Sequence, residues 1–242
     1  MPDAIFEDAR LAEIYDPLDA HRSDLDVYAA LVDELGARSV VDVGCGTGTF
    51  ACLLAQDAKH VTGVDPAVAS LDVARRKPGA DRVRWLIGDA TTLPPLQADL
   101  LTMTGNVAQV FLTDEEWSST LDAARLALRP GGVLVFEVRD PARQAWCEWN
   151  RGQSYRRVEV PDVGIVESWV EITRVHGPLV SFRWTFGFEA DGAVLVSDST
   201  LRFRTQPELR ASLRAADLVV EEVRDAPDRP GQELVFIARA AG

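Results

Sequence analysis

The chain has 242 residues, enough for one large domain or one domain carrying an insertion, and enough to bury a core without disulfide or metal staples. With 47% hydrophobic and 26% charged residues it has the composition of a folded protein, and its net charge of −13 argues against a phosphate backbone as the main partner. Three cysteines without a Cys-x-x-Cys pair (Cys45, Cys52, Cys147) argue against a disulfide framework or a zinc site, and no apolar run has membrane-spanning length or the pattern of a secretory signal, so a cytoplasmic protein is expected.

The acidic excess is concentrated at the start, where residues 1–35 hold ten acids against two arginines. Leu11, Ile14, Tyr15 and Leu18 recur at helical spacing, with Pro17 as a break or bend. Asp24 is a candidate cap for a second helix carrying Val27, Tyr28, Leu31, Val32 and Leu35, stopped at Gly36. Residues 1–36 therefore read as helical. The β-branched run Ser39–Val43 then opens a strand–helix alternation: helix over 47–56, strand over 59–64, helix over 67–76, strand over 82–87, strand over 98–103, helix over 115–128 and strand over 132–138. Such alternation requires parallel strands with crossover helices, so the fold class is α/β with a doubly wound, mainly parallel sheet.

From Arg139 the rhythm changes. Phe182, Trp184, Phe186 and Phe188 alternate with Arg183, Thr185 and Glu189, the two-residue period of an antiparallel strand, and Asp191-Gly192 and His176-Gly177-Pro178 supply turns. Helix returns over 206–216, followed by strands over 218–223 and 234–238. The expected organisation is one α/β domain, 1–138 plus 205–242, interrupted by a β-rich insertion at 139–204 before the last helix. That insertion is neutral, with nine acids and nine arginines, holds four of the six tryptophans, and is the expected acceptor-binding region.

The chemistry centres on Asp42-Val43-Gly44-Cys45-Gly46-Thr47-Gly48, where the first strand turns into the first crossover helix. Glycines there permit a tight turn and close approach of a ligand. Asp65, ending the second strand, can accept hydrogen bonds from both hydroxyls of a ribose, and Asp89 follows the third strand in the same way. The dinucleotide pattern G-x-G-x-x-G fails because Thr49 stands where its third glycine belongs, and no phosphate-binding Gly-Lys-Ser/Thr occurs. A carboxylate at Asp42, where a pyrophosphate would otherwise rest, suits a ligand that brings a cation.

These residues resemble the class I S-adenosylmethionine-dependent methyltransferases, with a seven-stranded Rossmann-like sheet. The resemblance covers roughly 38–138 in order, supported by Val64-Asp65-Pro66, Gly88-Asp89-Ala90 and Leu128-Arg129-Pro130-Gly131-Gly132-Val133-Leu134. It implies S-adenosyl-L-methionine as cofactor. The glycine turn (Asp42, Gly44, Cys45, Gly46, Thr47, Gly48) would wrap its amino-acid end, Asp65 and Pro66 its ribose, and Asp89 and Ala90 its adenine. Thr104, Gly105 and Asn106 would line the space near the methyl group, and Tyr15 in a Tyr-Asp pair would belong to a lid. The β-rich insertion resembles that of small-molecule methyltransferases, including sugar N-methyltransferases. The Asn/Asp-Pro-Pro-aromatic motif of enzymes acting on base or amide nitrogens is absent after the fourth strand, which with the acidic charge argues against nucleic acid.

Several residues keep two readings. Arg22 pairs either with the cofactor carboxylate or with neighbouring acids. Asn106 and Gln109 either orient an acceptor or satisfy buried backbone groups. His21 and His176 are either general bases or solvated loop residues. Arg139, Trp146 and Trp149 are candidates for the acceptor site, because aromatic walls suit flat rings and cationic amines. No histidine–carboxylate set has metal-site spacing, so no metal is expected. The expected function is methyl transfer to a small-molecule acceptor, with a protein methyltransferase or a non-catalytic S-adenosylmethionine-binding regulator as alternatives.

Overall fold

The computed structural model describes residues 2–19, 22, 24–57, 59–226 and 228–241. Two short N-terminal helices, α1 (Ala4–Glu7) and α2 (Ala9–Leu18), precede α3 (Asp24–Glu34). The α/β alternation follows as β1 (Ser39–Val43), α4 (Thr49–Gln56), β2 (His60–Asp65), α5 (Val68–Ala74), β3 (Val83–Ile87), β4 (Ala98–Met103), α6 (Asp114–Ala127) and β5 (Leu128–Arg139). After the short α7 (Arg151–Ser154) come β6 (Arg156–Val160), β7 (Gly164–His176), β8 (Leu179–Phe188) and β9 (Val194–Arg202), then α8 (Gln206–Ala215), β10 (Leu218–Asp225) and β11 (Glu233–Ala240).

The main sheet has seven strands in the order β10-β11-β5-β4-β1-β2-β3. Strands β1 to β5 pair in parallel, and β11 runs antiparallel to both β5 and β10. The order reverses between β1 and β4, so a crevice opens beyond their carboxyl ends, where doubly wound sheets bind ligands. Val41, Leu101, Leu134 and Phe136 pack on one face with Trp117 and Leu121 of α6, while Val40, Leu100 and Val135 pack on the other with Phe50 and Leu54 of α4. The helix ends follow their sequence signals. Thr113 with Glu116 and Thr205 with Glu208 form reciprocal capping boxes at α6 and α8. Asp24 is the first residue of α3 rather than its cap, and its carboxylate instead binds Arg22.

The antiparallel insertion forms a separate four-stranded sheet, β6-β7-β8-β9. It is not an autonomous unit. Val166, Phe186 and Phe188 share a core with Leu11 and Ile14 of α2. The Ile5 amide donates to Ser197 Oγ at 2.9 Å, and Arg10 pairs with Asp191 at 2.8 Å. The same N-terminal segment reaches the main sheet: Ser70 Oγ donates to the Phe6 carbonyl and the Val68 amide to Glu7. Helices α1 and α2 therefore strap the two sheets together.

Candidate functional site

The glycine turn is built by backbone geometry. Gly44, Gly46 and Gly48 have φ of 69°, 53° and 76°, the left-handed region that side chains disfavour. At Gly44 a Cβ would lie 2.5 Å from Val107 Cγ2, so the turn after β4 packs directly on the turn after β1. At Gly48 a Cβ would meet Trp85 at 2.5 Å, which assigns this glycine to packing under the turn; no cavity-lining atom is contributed by it. Gly46 has open space beyond it.

Two buried carboxylates face the crevice. Asp42 is 1% exposed; Thr102 Oγ1 donates to its Oδ1 at 2.9 Å, and its Oδ2 has no protein partner. Burial pushes its carboxyl up to about 7, helped by the charge of Asp65 and opposed by Thr102 and Arg22. Asp65 accepts the Gly46 amide on Oδ2 and the Ala67 amide on Oδ1, both at 2.8 Å. Burial raises its carboxyl too, against those two amides. A carboxylate offers about four acceptor sites, so two remain on Asp65 for a ligand diol. The Cys45 thiol in the turn is held well above its usual range by burial and the same two acids.

The N-terminal segment closes one side. Asp16 accepts from Thr47 Oγ1 at 2.7 Å and from Thr49 Oγ1 at 3.2 Å, and pairs with Lys77 at 2.6 Å, latching α2 onto the glycine turn. Tyr15 and Phe6, with ring centroids 5.7 Å apart, both line the cavity. Arg22 also lines it while paired with Asp24 at 3.0 Å, so both readings of this arginine are geometrically open.

The cavity has a volume of about 1220 Å³. It contains Asp42, Gly44, Cys45, Gly46, Thr47, Asp65, Pro66, Asp89, Thr104 and Gly105 at its inner end. Apolar Val107, Val110, Phe111 and Leu112 lead outward to Thr173, Ser181, Arg183, Asp198, Ser199 and Thr200 of the second sheet. Thr173 sits at a β-bulge between Ile172 and Arg174, a device that re-aims a side chain out of register.

Several expected residues lie elsewhere. Ala90 is fully buried in the core, and Thr91 faces the cavity in its place. The Asn106 side chain points away from the cavity toward Glu233, at 3.4 Å. Buried Gln109 accepts from the Arg139 amide at 3.2 Å and donates to the Arg202 carbonyl, a structural tie. Arg139 pairs with Glu233 and lies 5.5 Å from the Trp149 ring. Trp146 packs on Phe203 and Trp149 on Phe182, at 4.5 and 4.7 Å between centroids. This aromatic cluster, expected to line an acceptor site, packs on Phe203 and Phe182, and Arg139, Trp146 and Trp149 are not among the residues lining the cavity. His176 is exposed beside the β7–β8 turn, and His21 lies outside the described residues. The hydroxyl-bearing positions of β8 and β9 were missed, although the two-residue period puts Ser181 and Arg183 on one face. Among the described residues no group of three or more His, Cys, Asp and Glu could hold a metal, and no helix is long and apolar enough to cross a membrane.

S-Adenosylmethionine carries a sulfonium, an ammonium and a ribose diol. The unpartnered Asp42 oxygen and the half-engaged Asp65 carboxylate fit that donor and charge set, with no phosphate-binding group required. The comparisons agree. A family model described as a methyltransferase domain matches residues 40–132. The malonyl-[acyl-carrier protein] O-methyltransferase of Serratia marcescens is 35% identical over 127 residues, covering 46% of either chain. The chain thus spans about half the length of the curated relatives it matches. Similar solved structures span nearly all of it. S-adenosylmethionine-bound CalS10, an amino pentose methyltransferase from Micromonospora echinaspora, is 27% identical with a TM-score of 0.74, covering 94% of this chain and 97% of its own. The CcbJ methyltransferase of Streptomyces caelestis is 25% identical with a TM-score of 0.73, covering 90% of each chain. Residues 40–132 thus match a methyltransferase domain, and the fold around them is similar to those of solved S-adenosylmethionine-dependent methyltransferases.

Proposed function

We propose that the protein transfers the methyl group of S-adenosylmethionine to a small, hydroxyl-bearing amine. The observation that carries this reading is the single cavity joining the Asp42 and Asp65 end to the hydroxyl row Thr173, Ser181, Ser199 and Thr200. The cavity is also lined by Asp3, Glu115 and Glu116, while Asp198 is paired with Arg183 at 2.7 Å, and this acidic excess favours an amine-bearing acceptor and disfavours a nucleic acid. The amino pentose named for CalS10 has that chemistry. Cys45 and Cys52 are buried thiols and Cys147 an exposed one, which fits a reducing, cytoplasmic setting.

When bound, the cofactor supplies an electrophilic methyl group and leaves as a neutral thioether. Asp42 and Asp65 hold its charged and hydroxylated ends, and Tyr15 and Phe6 cover it. Val107, Val110, Phe111 and Leu112 exclude water from the transfer path. The hydroxyl row orients the acceptor. Holding two reactants in line can lower the barrier by roughly 7–11 kcal/mol, so positioning suffices. An amine that arrives neutral needs no base in the transition state, which agrees with a cavity that no histidine lines among the described residues.

The test is S-adenosylhomocysteine formation with a panel of amino sugars and amino alcohols, peptides and folded proteins. Turnover with the small amines supports the reading. Turnover confined to peptides or proteins overturns it in favour of a protein methyltransferase. Cofactor binding without turnover on any acceptor overturns it in favour of a regulator.

A further inference from the structure

Behind the cavity wall lies a buried polar cluster that the proposed function does not use. Glu137, near the end of β5, is 5% exposed. Its Oε1 accepts the backbone amides of Gly105 at 2.5 Å and Asn106 at 3.1 Å, while its Oε2 meets the hydroxyl of Tyr28 on α3. Gly105 and Asn106 both adopt left-handed conformations, with φ of 69° and 62°. Successive amides in such a turn converge on one point and form an anion-binding concavity. Two consecutive left-handed residues make a sparsely populated turn, which its surroundings must hold in place. Glu137 supplies that constraint.

The turn it holds belongs to the site. Thr104 and Gly105 line the cavity, and Val107 fills the space against Gly44. The carboxylate is expensive to keep there. Burial pushes it up to about 7, with Glu233 adding to the effect and the two amides opposing it. Glu233 is itself 2% exposed and already held by Arg229 at 2.7 Å. An apolar residue would serve packing alone at lower cost, because a buried charge contributes little net stability. The carboxylate must therefore provide something packing does not, and among the described residues the backbone donors it engages are those of the cavity turn.

We infer that Glu137 is a positioning residue for the methyl-transfer site. It fixes the 104–107 turn, and through Val107 the glycine turn, while Tyr28 fixes the carboxylate. The inference rests on the methyltransferase reading above.

The test is calorimetric titration with S-adenosylhomocysteine on wild type, Glu137→Gln, Glu137→Leu and Tyr28→Phe, with hydrogen exchange at the amides of Gly105 and Asn106. Glutamine keeps an acceptor oxygen for both amides and leucine does not. Glu137→Leu should bind at least roughly tenfold more weakly and lose protection at both amides, the scale expected for lost charge-assisted hydrogen bonds. Glu137→Gln should restore both to near wild type. If Glu137→Leu fails to fold, Tyr28→Phe, whose ring still packs on Phe50, should show weaker binding and faster exchange at the same two amides. Unchanged affinity in folded Glu137→Leu, equal damage in Glu137→Gln and Glu137→Leu, or unchanged exchange in Tyr28→Phe overturns the positioning role. Wild type that does not bind S-adenosylhomocysteine overturns the methyltransferase reading itself.

Discussion

Asp42 and Thr102 stand opposite each other across β1 and β4, where the strand order reverses, and the threonine hydroxyl donates to one Asp42 oxygen at 2.9 Å while the other is left free. Asp42 lines the cavity with that oxygen buried and unpartnered, and burial lifts its carboxyl to about 7 against the opposing charge of Arg22. A cationic group arriving there favours the ionised form and lowers that value. Binding of S-adenosylhomocysteine, which brings the ammonium, should therefore release protons between pH 6 and about 7, and its affinity should fall as pH drops through that window. Calorimetry in buffers of different ionisation enthalpy reads the release directly. Asp42→Asn should bind weakly and release fewer protons.

The same shifts predict how the ligand-free protein responds to pH. Asp42 and Glu137 have folded values near 7, raised from ordinary values of 3.8 and 4.5. Between those limits the folded state binds more protons than the unfolded state, so these groups favour folding at lower pH and that contribution is lost as pH rises through about 7. The acids held low by arginine partners, such as Asp99 and Asp198, titrate well below this range and do not interfere. The melting temperature should be higher at pH 6 than at pH 8, and Asp42→Asn should narrow the difference. An equal or lower value at pH 6 contradicts the assignment.

Gly44 and Val107 form the contact between the two cavity turns. Gly44→Ala places a Cβ at 2.5 Å from Val107 Cγ2 and in a left-handed conformation. Overpacking and strain of this kind typically cost about 1–3 kcal/mol each. Val107→Ala relieves the clash but not the backbone strain. The double variant Gly44→Ala/Val107→Ala should therefore lose less stability in denaturant than the sum of the two single variants. Additive losses would show that the turns do not touch.

Trp149 separates packing from acceptor binding. It is half-buried against Phe182 and Phe203 with Arg139 over its ring. Trp149→Ala should destabilise the protein by about 2–4 kcal/mol, toward the lower end of the range for a large aromatic deletion because the ring is not fully enclosed. Its affinity for S-adenosylhomocysteine should be unchanged within error. A cofactor-binding defect without loss of stability would return this residue to the site.

The parts legible in sequence were those with a local physical signature. The strands β1 and β4 were readable to the residue because β-branched and aliphatic runs end at a glycine or polar turn. The Asp42–Gly48 turn was readable because its glycines carry backbone conformations that other residues avoid. The helix at α4 begins at Thr49 rather than Thr47, since the left-handed Gly48 holds the preceding turn open. The 139–204 insertion does contribute to the cavity, but through Thr173, Ser181, Ser199 and Thr200 rather than through Trp146 and Trp149. Tryptophans near a strand end read equally as a ligand wall or as core, and only tertiary packing of Trp149 on Phe182 decides. Ser181, Ser199 and Thr200 are brought to the cavity by an antiparallel pairing that no short stretch encodes. Glu137 carried a signal that went unread: one acid inside the apolar run Val133–Val138.

Asp65 ties the ligand to the fold most directly. Asp65→Ala removes a buried acceptor that also anchors the Gly46 and Ala67 amides. It should weaken S-adenosylhomocysteine by about 1.5–3 kcal/mol, or roughly ten- to more than a hundredfold, in calorimetry. Unaltered affinity would remove Asp65 from the cofactor site.

The central claim is that the crevice beyond β1 and β4 holds S-adenosylmethionine and opens onto the hydroxyl row of the second sheet. A crystal structure with S-adenosylhomocysteine bound tests it in one measurement. The ribose hydroxyls should lie within about 3 Å of the Asp65 carboxylate, the ammonium on the Asp42 side of the glycine turn, and the sulfur toward the space that leads to Ser199 and Thr200. Density for the ligand at another place, or a sulfur sealed from the second sheet by protein, would contradict it.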